Sequence, residues 1–228
     1  MMRQVDLSGG EYTIADDGVY CVSGESKYHS LIIKGSPTVY LVDATIESGS
    51  DWSPIHVVSG NPVIVLVGTN RLTGRGYYSG LYYKPGCKVT LRGEGKLIAE
   101  GAWGAGIGSY MVNPAGDLVI ESGTIEATGG VGNQGYAAGI GGSGDYGCGS
   151  ITITGGKVTA RGSDGAAAIG AGKNGPCSSI VLENCEIHVP GDGKGGLSGE
   201  NGIVAGSVVP DLSDGEEMRE KGVRVEGI

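Results

Sequence analysis

The sequence predicts an all-β protein, a right-handed parallel β-helix (β-solenoid) of about seven to eight coils, because two different motifs recur along it together. One motif is an alternating apolar segment, which is clearest at residues 118–125, 151–158 and 180–187. The other is Ala-Gly-Ile-Gly at 105–108 and 138–141, with Ala-Ala-Ile-Gly at 167–170. Alternation of β-branched with polar residues between glycine-rich turns is typical of strands.

The first apolar residues of six aligned segments mark the repeat. They are Val39, Ile64, Val89, Leu118, Ile151 and Ile180, so the intervals between successive copies are similar but not identical. The Ile of each second motif stands at one constant distance before the next segment (107 to 118, 140 to 151, 169 to 180), and Ile55 and Leu81 are its earlier counterparts. No amphipathic helix pattern lies between copies, which favours stacked coils over βαβ units.

The composition is compatible with a folded chain whose corners are made by glycine. The 228 residues include 47 glycines, 8 prolines and no phenylalanine. Val, Ile and Leu are frequent enough to form a core, and glycine never falls into the triplet register of collagen. We therefore expect glycine at turns that need a positive φ in coil after coil, around a thin core of stacked Ile, Val, Leu and Ala.

The charge and the motif content exclude several classes of function. A net charge of −9 repels nucleic acids and anionic membrane surfaces, so neither is an expected partner. No apolar run approaches the ~18 residues of a membrane-spanning helix, and residues 1–10 lack the apolar region of a secretory signal peptide. The cysteines do not have the spacing of a zinc site, so no metal and no cofactor are expected.

The chain divides into three predicted parts. Residues 1–35 alternate but do not fit the coil template, which indicates an N-terminal cap. Residues 36–206 form the solenoid, and residues 207–228 form a C-terminal capping helix and strand.

Two cysteines are predicted to be neighbours in successive coils. Cys148 and Cys177 each lie shortly before a strand, at the same offset from its first apolar residue (148 to 151, 177 to 180). Without an export signal we expect them to stack as small apolar thiols rather than to form a disulfide.

Residues 137–142 and 150–160 resemble the glycine-rich repeats of right-handed parallel β-helix proteins, both bacterial repeats of the carbohydrate-binding type and phage tail or fibre β-helices. The resemblance covers roughly residues 39–206. It implies a noncatalytic structural or receptor-binding, adhesin-like protein on a virion or extracellular surface, with a glycan or another surface receptor as its partner. The missing signal peptide fits the phage proteins better than the bacterial surface proteins.

The aromatic residues are the candidate ligand-binding groups, because all are Tyr or Trp, whose polar edge suits a wet surface. The candidates are Tyr77, Tyr78, Tyr82, Tyr83, Trp103, Tyr110 and Tyr136. They could stack on sugar rings or on a protein, and the alternative is that they pack on their own corners.

An enzyme that degrades polysaccharides, as a lyase or glycosidase, is the alternative function. Glu121 and Glu183 occupy one outward position two coils apart, within reach of an inverting carboxylate pair, and His188 could add an acid or base. The competing interpretation, which we favour, is a solvated sheet face of alternating charges.

An outward row of apolar and β-branched residues indicates self-association. The predicted interface residues are Tyr40, Val65, Val119 and Val181, with Thr90 and Thr152 between them. Such a strip usually marks an interface, so we expect a homo-oligomer, with a trimer favoured. Alternatively, residues 1–35 or the C-terminal tail cover it.

Overall fold

The chain winds into a right-handed parallel β-helix whose coils present three faces, here called A, B and C. The structure is a computed structural model that describes residues 1–49, 52–132, 135–163, 165–189, 208–209 and 215–226. Within these residues, every pairing between strands of successive coils is parallel. The predicted fold class is therefore confirmed.

Faces A and B form one 15-stranded sheet that bends around a corner, because the strands Val19–Lys27 and Thr38–Glu47 run through both faces. The other strands of face A are Met2–Asp6, Val63–Val67, Lys88–Gly93, Asp117–Ile120, Cys148–Ile153, Cys177–Leu182 and Val208–Val209. The other strands of face B are Thr69–Thr73, Lys96–Glu100, Thr124–Thr128, Lys157–Arg161, Glu186–His188 and Arg224–Glu226.

Face C is a separate seven-stranded sheet. Its strands are Tyr12–Ile14, Leu31–Lys34, Ile55–Ser59, Leu81–Tyr83, Ile107–Gly108, Ile140–Gly141 and Ile169–Gly170. The other elements are a 3-10 helix at Leu7–Gly9, an antiparallel hairpin of Val131–Gly132 with Gly135–Tyr136, and an α-helix at Gly215–Glu220. We number coils 1 to 8 as residues 2–14, 19–34, 38–59, 63–83, 88–108, 117–141, 148–170 and 177–188.

Coils 1 and 2 correct the prediction of a separate N-terminal cap. Met2 pairs with Val19 and Val19 with Thr38, all in parallel, and face C continues in the same way. Residues 2–34 are therefore the first two coils of the solenoid. They did not fit the template because their turns (2 to 19, 19 to 38) are shorter than those of the later coils (38 to 63, 63 to 90).

The stacking register confirms most of the repeat alignment and corrects one step of it. Val39 pairs with Ile64, and Val89 pairs with Leu118, as the spacing predicts. Between coils 4 and 5, however, Ile64 pairs with Leu91 and not with Val89. A slip of two residues leaves every inward side chain inward, because strand side chains alternate with a period of two. The apolar pattern therefore could not detect it.

The interior consists of columns of similar side chains that stack from coil to coil. One column on face C is fully buried and contains Leu31, Ile55, Leu81, Ile107, Ile140 and Ile169. It confirms that Ile55 and Leu81 are counterparts of the later motif isoleucines. Burial of each such side chain contributes about 1.5–3 kcal/mol.

The glycine after each motif isoleucine forms a second column in the same sheet. Gly108, Gly141 and Gly170 pair in register and have φ angles of 134°, 131° and 128°. A Cβ on Gly108 would lie 2.1 Å from the carbonyl oxygen of Gly141, and a Cβ on Gly141 would lie 2.1 Å from that of Gly170. Glycine is thus required both for the backbone conformation and for the close approach of the coils.

A buried amide joins three coils at the A–B corner, beside the register slip. The Asn70 side chain is fully buried, and its Oδ1 accepts a hydrogen bond from the Ala44 N–H at 2.9 Å. Its Nδ2 donates to the carbonyl oxygens of Val67 at 3.1 Å and Lys96 at 3.2 Å. An apolar side chain here would leave those three backbone groups without this partner.

The cysteines differ from the expectation in one respect. Cys148 and Cys177 are paired neighbours in coils 7 and 8, as predicted, but they form a disulfide rather than two stacked thiols. Their Cα atoms are 4.3 Å apart, because the register places the two residues directly above one another. Cys21, Cys87 and Cys185 are free thiols.

The C-terminal end contains both predicted elements. The helix Gly215–Glu220 precedes the strand Arg224–Glu226, which pairs with coil 8 on face B. Met218, Val223 and Val225 pack against the core. Residues 190–206, the last part of the predicted solenoid, lie outside the described residues.

Candidate functional site

The B–C corner carries most of the aromatic residues that the sequence singled out. The strands on either side of this corner stack in register, so the differences in coil length fall on the loops between them. Coil 4 places Tyr77 and Tyr78 in this corner, coil 5 places Trp103, and coil 6 places the hairpin that ends at Tyr136. Residues from three successive coils are thereby brought to one edge of the rod.

Three of these rings, Tyr77, Trp103 and Tyr136, define what we call the corner strip. The fourth, Tyr78, is half-buried like Trp103 and Tyr136, but its ring packs on Tyr110. Tyr77 is 47% exposed, and its ring meets that of Trp103 edge-on at 4.8 Å between centroids. Trp103 and Tyr136 are half-buried. The Nζ of Lys173 lies 5.9 Å from the Tyr136 ring centroid, at the distance of a cation–π contact.

A second group of rings, the aromatic cluster, packs over the outer side of face C. Its members are Trp52, His56, Tyr78, Tyr82 and Tyr110. His56 lies 4.5 Å from Trp52 and 4.7 Å from Tyr82, and Tyr110 lies 4.6 Å from Tyr82 and 5.0 Å from Tyr78, all between ring centroids. Rings at these distances and angles stabilise one another beyond their simple burial. This cluster closes face C in coils 3 to 5.

The structure removes Tyr83 from the candidate binding surface and makes Tyr82 and Tyr110 mainly structural. Tyr83 is fully buried and stacks inward on Val57. Tyr82 and Tyr110 are 3% and 8% exposed, and the Tyr82 hydroxyl donates to the carbonyl oxygen of Pro114 at 3.2 Å. The seven candidate rings therefore do not share one exposed surface: strand alternation turns Tyr83 inward, and Tyr82 and Tyr110 are buried.

His56 was not singled out from the sequence, although its burial and its lowered pKa are features often found at functional sites. It is 4% exposed, and burial together with the positive charge of Lys84 lowers its pKa to about 4. Its Nδ1 and the hydroxyl of Tyr83 are the buried side-chain atoms without a hydrogen-bond partner in the described part of the chain. Alternation from the inward Ile55 places His56 outward, so the sequence did contain a signal for its face but none for the rings that cover it.

The three residues of the catalytic alternative lie on two different faces, each beside a charged group. Glu121 Oε2 lies 3.9 Å from Arg92 Nη1, and Glu183 Oε1 lies 3.6 Å from Lys221 Nζ. His188 stands on face B, around the corner from face A, with its Nδ1 3.8 Å from a carboxylate oxygen of Glu226. Each of the three therefore has its own charged neighbour, as on a solvated sheet face.

The register slip divides the predicted interface row into two columns. Val65 pairs with Arg92, so Tyr40 and Val65 share a column with charged residues of the later coils. Thr90 pairs with Val63 instead, in a column that has no charged residue. This column, the outer ladder, contains Val19, Thr38, Val63, Thr90, Val119, Thr152 and Val181. Val19 is exposed and the others are half-buried.

A groove of about 700 Å³ follows the A–B corner of coils 4 and 5, lined by Val65, Val67, Glu94 and Lys96 among others. Apart from Val65 of the predicted interface, these residues belong to no candidate site. Among the described residues, no group of three or more His, Cys, Asp or Glu side chains could hold a metal ion. No helix in the described ranges has the length and apolar character needed to cross a membrane.

The low pKa of His56 predicts an acid-sensitive stability. An unfolded histidine titrates near 6.5, so between pH 6.5 and 4 the unfolded chain binds a proton that the folded protein does not. The contribution of neutral His56 to the free energy of unfolding should therefore have its full value above pH 6.5. It should fall by roughly 3 kcal/mol as the pH is lowered to 4. Urea unfolding at pH 7.5, 5.5 and 4 measures this loss. His56→Phe should reduce the loss, whereas the exposed-residue control His29→Gln should retain it; equal losses in both variants would contradict the assignment.

One family model matches the chain. The beta helix repeat family matches residues 89–109, 118–144 and 151–173, which lie in coils 5 to 7 and the loops after them. No curated protein and no solved structure matches the chain significantly. The matched repeats coincide with the coils in which the Ala-x-Ile-Gly motif and the glycine column occur. The chain therefore folds as a right-handed parallel β-helix, and three of its segments match the beta helix repeat family.

Proposed function

We propose that the protein is a noncatalytic receptor-binding β-solenoid of a phage or cell surface, and that it recognises glycans through the corner strip. The observation that supports this most strongly is the exposed edge-on pair of Tyr77 and Trp103, which continues to Tyr136 in the next coil. Tyr77 is exposed and Trp103 and Tyr136 are half-buried, whereas Tyr82, Tyr83 and Tyr110 are buried.

The spacing of the corner strip suits an extended ligand. Successive coils of a β-solenoid lie ~4.8 Å apart, so the strip offers one accessible ring per coil along the rod axis. A flat ring with a polar edge can stack on the C–H face of a sugar and still meet water. Lys173 beside Tyr136 adds a cation that can bind a hydroxyl or an acidic substituent.

A binding protein accounts for the charged residues better than an enzyme does. A glycoside hydrolase needs two carboxyl groups that flank one bond. Glu121 and Glu183 are instead on an open sheet face, each beside a cation, and His188 is on another face. No feature of the described residues favours the polysaccharide-degrading alternative.

A glycan array followed by titration calorimetry tests the binding proposal. We expect the wild type to bind at least one glycan, and Tyr77→Ala/Trp103→Ala to weaken that binding at least tenfold, since stacking on two rings is lost. Tyr12→Ala removes a ring of similar exposure (38%) from coil 1 and should bind like the wild type. Glu121→Gln/Glu183→Gln should also retain binding. Absence of binding to any glycan, or equal loss in the Tyr12 control, would refute a role for the corner strip.

The outer ladder supports a second part of the proposal, that copies of this chain associate through face A. The ladder spans coils 2 to 8, or roughly 29 Å at ~4.8 Å per coil. A partner must present matching rows at the same axial repeat, and another copy of the chain does so automatically. A closed homo-oligomer, with a trimer favoured, would cover the ladder in every copy.

Light scattering coupled to size exclusion measures this association. We expect the wild type to be an oligomer and Val63→Lys/Val119→Lys to be a folded monomer, because two ammonium groups would be buried in the interface. Thr73→Lys/Thr128→Lys places the same charges on face B and should leave the oligomer intact. A monomeric wild type would rule out the association.

A further inference from the structure

The disulfide links coils 7 and 8, near the C-terminal end of the described part of the rod. Cys148 belongs to coil 7 and Cys177 to coil 8, at a sequence separation of 29. In a solenoid each repeat is stabilised mainly by contacts with its neighbours, so coils near an end open most easily. A covalent link between coils 7 and 8 therefore acts near the C-terminal end of the rod, where the short strands Val208–Val209 and Arg224–Glu226 pair with the other side of coil 8.

The bond is nearly buried, as are the free thiols Cys87 and Cys185, but it lies beside a groove. Cys148 is 7% exposed and lines a groove of about 390 Å³ at the corner between faces C and A. Pro85, Pro114 and Pro176 form the walls of this groove. Cys87 and Cys185 are buried, and burial raises the pKa of both thiols, that of Cys185 to about 11. These two thiols are therefore poor partners for exchange.

The structure offers a hydrogen-bond acceptor to one of the two cysteines after reduction. The Sγ of Cys177 lies 3.2 Å from the carbonyl oxygen of Gly170, which can accept a hydrogen bond from a Cys177 thiol after reduction. Cys148 and Cys177 also remain adjacent through the backbone hydrogen bonds of face A. Reduction therefore removes the covalent link, while the backbone pairing of the two residues and an acceptor for the Cys177 thiol remain.

We propose that Cys148–Cys177 is a thiol–disulfide exchange site that controls how firmly coil 8 is attached to the rod. The reactant is a small dithiol or a dithiol protein that enters the proline-walled groove. Its thiolate attacks the Sγ of Cys148, which forms a mixed disulfide and releases Cys177 as a thiolate that takes up a proton. The second thiol of the reactant then displaces Cys148, so the protein gains two electrons and two protons and the reactant leaves as a cyclic disulfide.

Whether the Cys148–Cys177 bond is closed depends on the redox state of the compartment that holds the protein. Structural disulfides persist on cell and virion surfaces and are rare where the thiol pool is reduced. In a reducing compartment the pair would be open and coil 8 loosely held. In an oxidising environment the cyclic disulfide form of the same reactant would run the exchange in reverse, so that the two cysteines lose two electrons and two protons and the reactant leaves as a dithiol.

Amide hydrogen exchange on the full chain, oxidised or reduced with dithiothreitol, tests the proposal. In the chain-entropy description, a disulfide that closes a loop stabilises the folded state by restricting the unfolded chain. We therefore expect amides of coil 8 to exchange at least tenfold faster after reduction, with coil 4 unchanged. Cys148→Ala/Cys177→Ala should show the fast rate with or without reductant. Cys21→Ala, which changes a half-buried free thiol of coil 2, should behave like the wild type.

Alkylation without reductant in denaturant supplies the second measurement. Three of the five cysteines should be labelled in the protein purified under air, and all five after dithiothreitol. Labelling of all five before reduction would overturn the proposal. So would identical exchange of coil 8 in the oxidised and reduced proteins, because the bond would then have no influence on attachment.

Discussion

Stacking of each coil on its own equivalent in the next is the constraint on which the rest of the structure depends. Inward residues repeat in type because each one contacts the same position above and below, as the isoleucines of face C do in coils 5 to 7. The backbones approach so closely in these coils that Gly108 and Gly141 have no room for a side chain. The same stacking joins Cys148 to Cys177 and allows the Asn70 amide to reach backbone groups in three coils.

The surface chemistry of the rod is set mainly by its corner loops, because coil stacking restricts the strands but not the loops. Strand positions must repeat, but corner loops need only return the chain to the next strand, so length and chemistry can vary there. The B–C corner uses this freedom to present Tyr77 and Trp103 outward, while Tyr82 and Tyr110 are covered by neighbouring loops. The outer ladder on face A differs from the corner loops, because it lies on strands and repeats valine and threonine from coil to coil. These side chains point outward, so packing of the core does not explain the repetition. Binding and assembly are therefore proposed for two different sides of one rod.

Much of the fold was predictable because alternation and period are local properties of the chain. The strands, the face C column and the neighbouring cysteines all follow from them. The register between coils 4 and 5 does not, since a slip of two residues keeps Ile64 and Leu91 inward just as it would Val89. Coils 1 and 2 escaped prediction because their turns are shorter than those of the later coils.

The residues of the candidate site could be chosen from the sequence, but the exposure of each ring could not be predicted from it. The sequence identifies the tyrosines as candidates, and alternation from Leu81, the counterpart of the motif isoleucines, places Tyr83 inward as well. The covering of His56 by Trp52 and Tyr110 depends on loops from different coils, which no local pattern encodes. The spacing of Cys148 and Cys177 predicts that they are neighbours, but the formation of a disulfide depends on the distance between the two coils, which the sequence does not give.

The most direct measurement of the central claim compares two glycines that both have positive φ angles. Gly141 has the carbonyl oxygen of Gly170 2.1 Å from the position of a Cβ, whereas Gly86 (φ 87°) has no atom within 4 Å. Alanine at Gly86 should lower the free energy of unfolding by about 1–2 kcal/mol through backbone conformation alone. Alanine at Gly141 should cost at least twice as much or prevent folding, because the coils must separate. Equal losses for Gly86→Ala and Gly141→Ala would contradict stacking in this register.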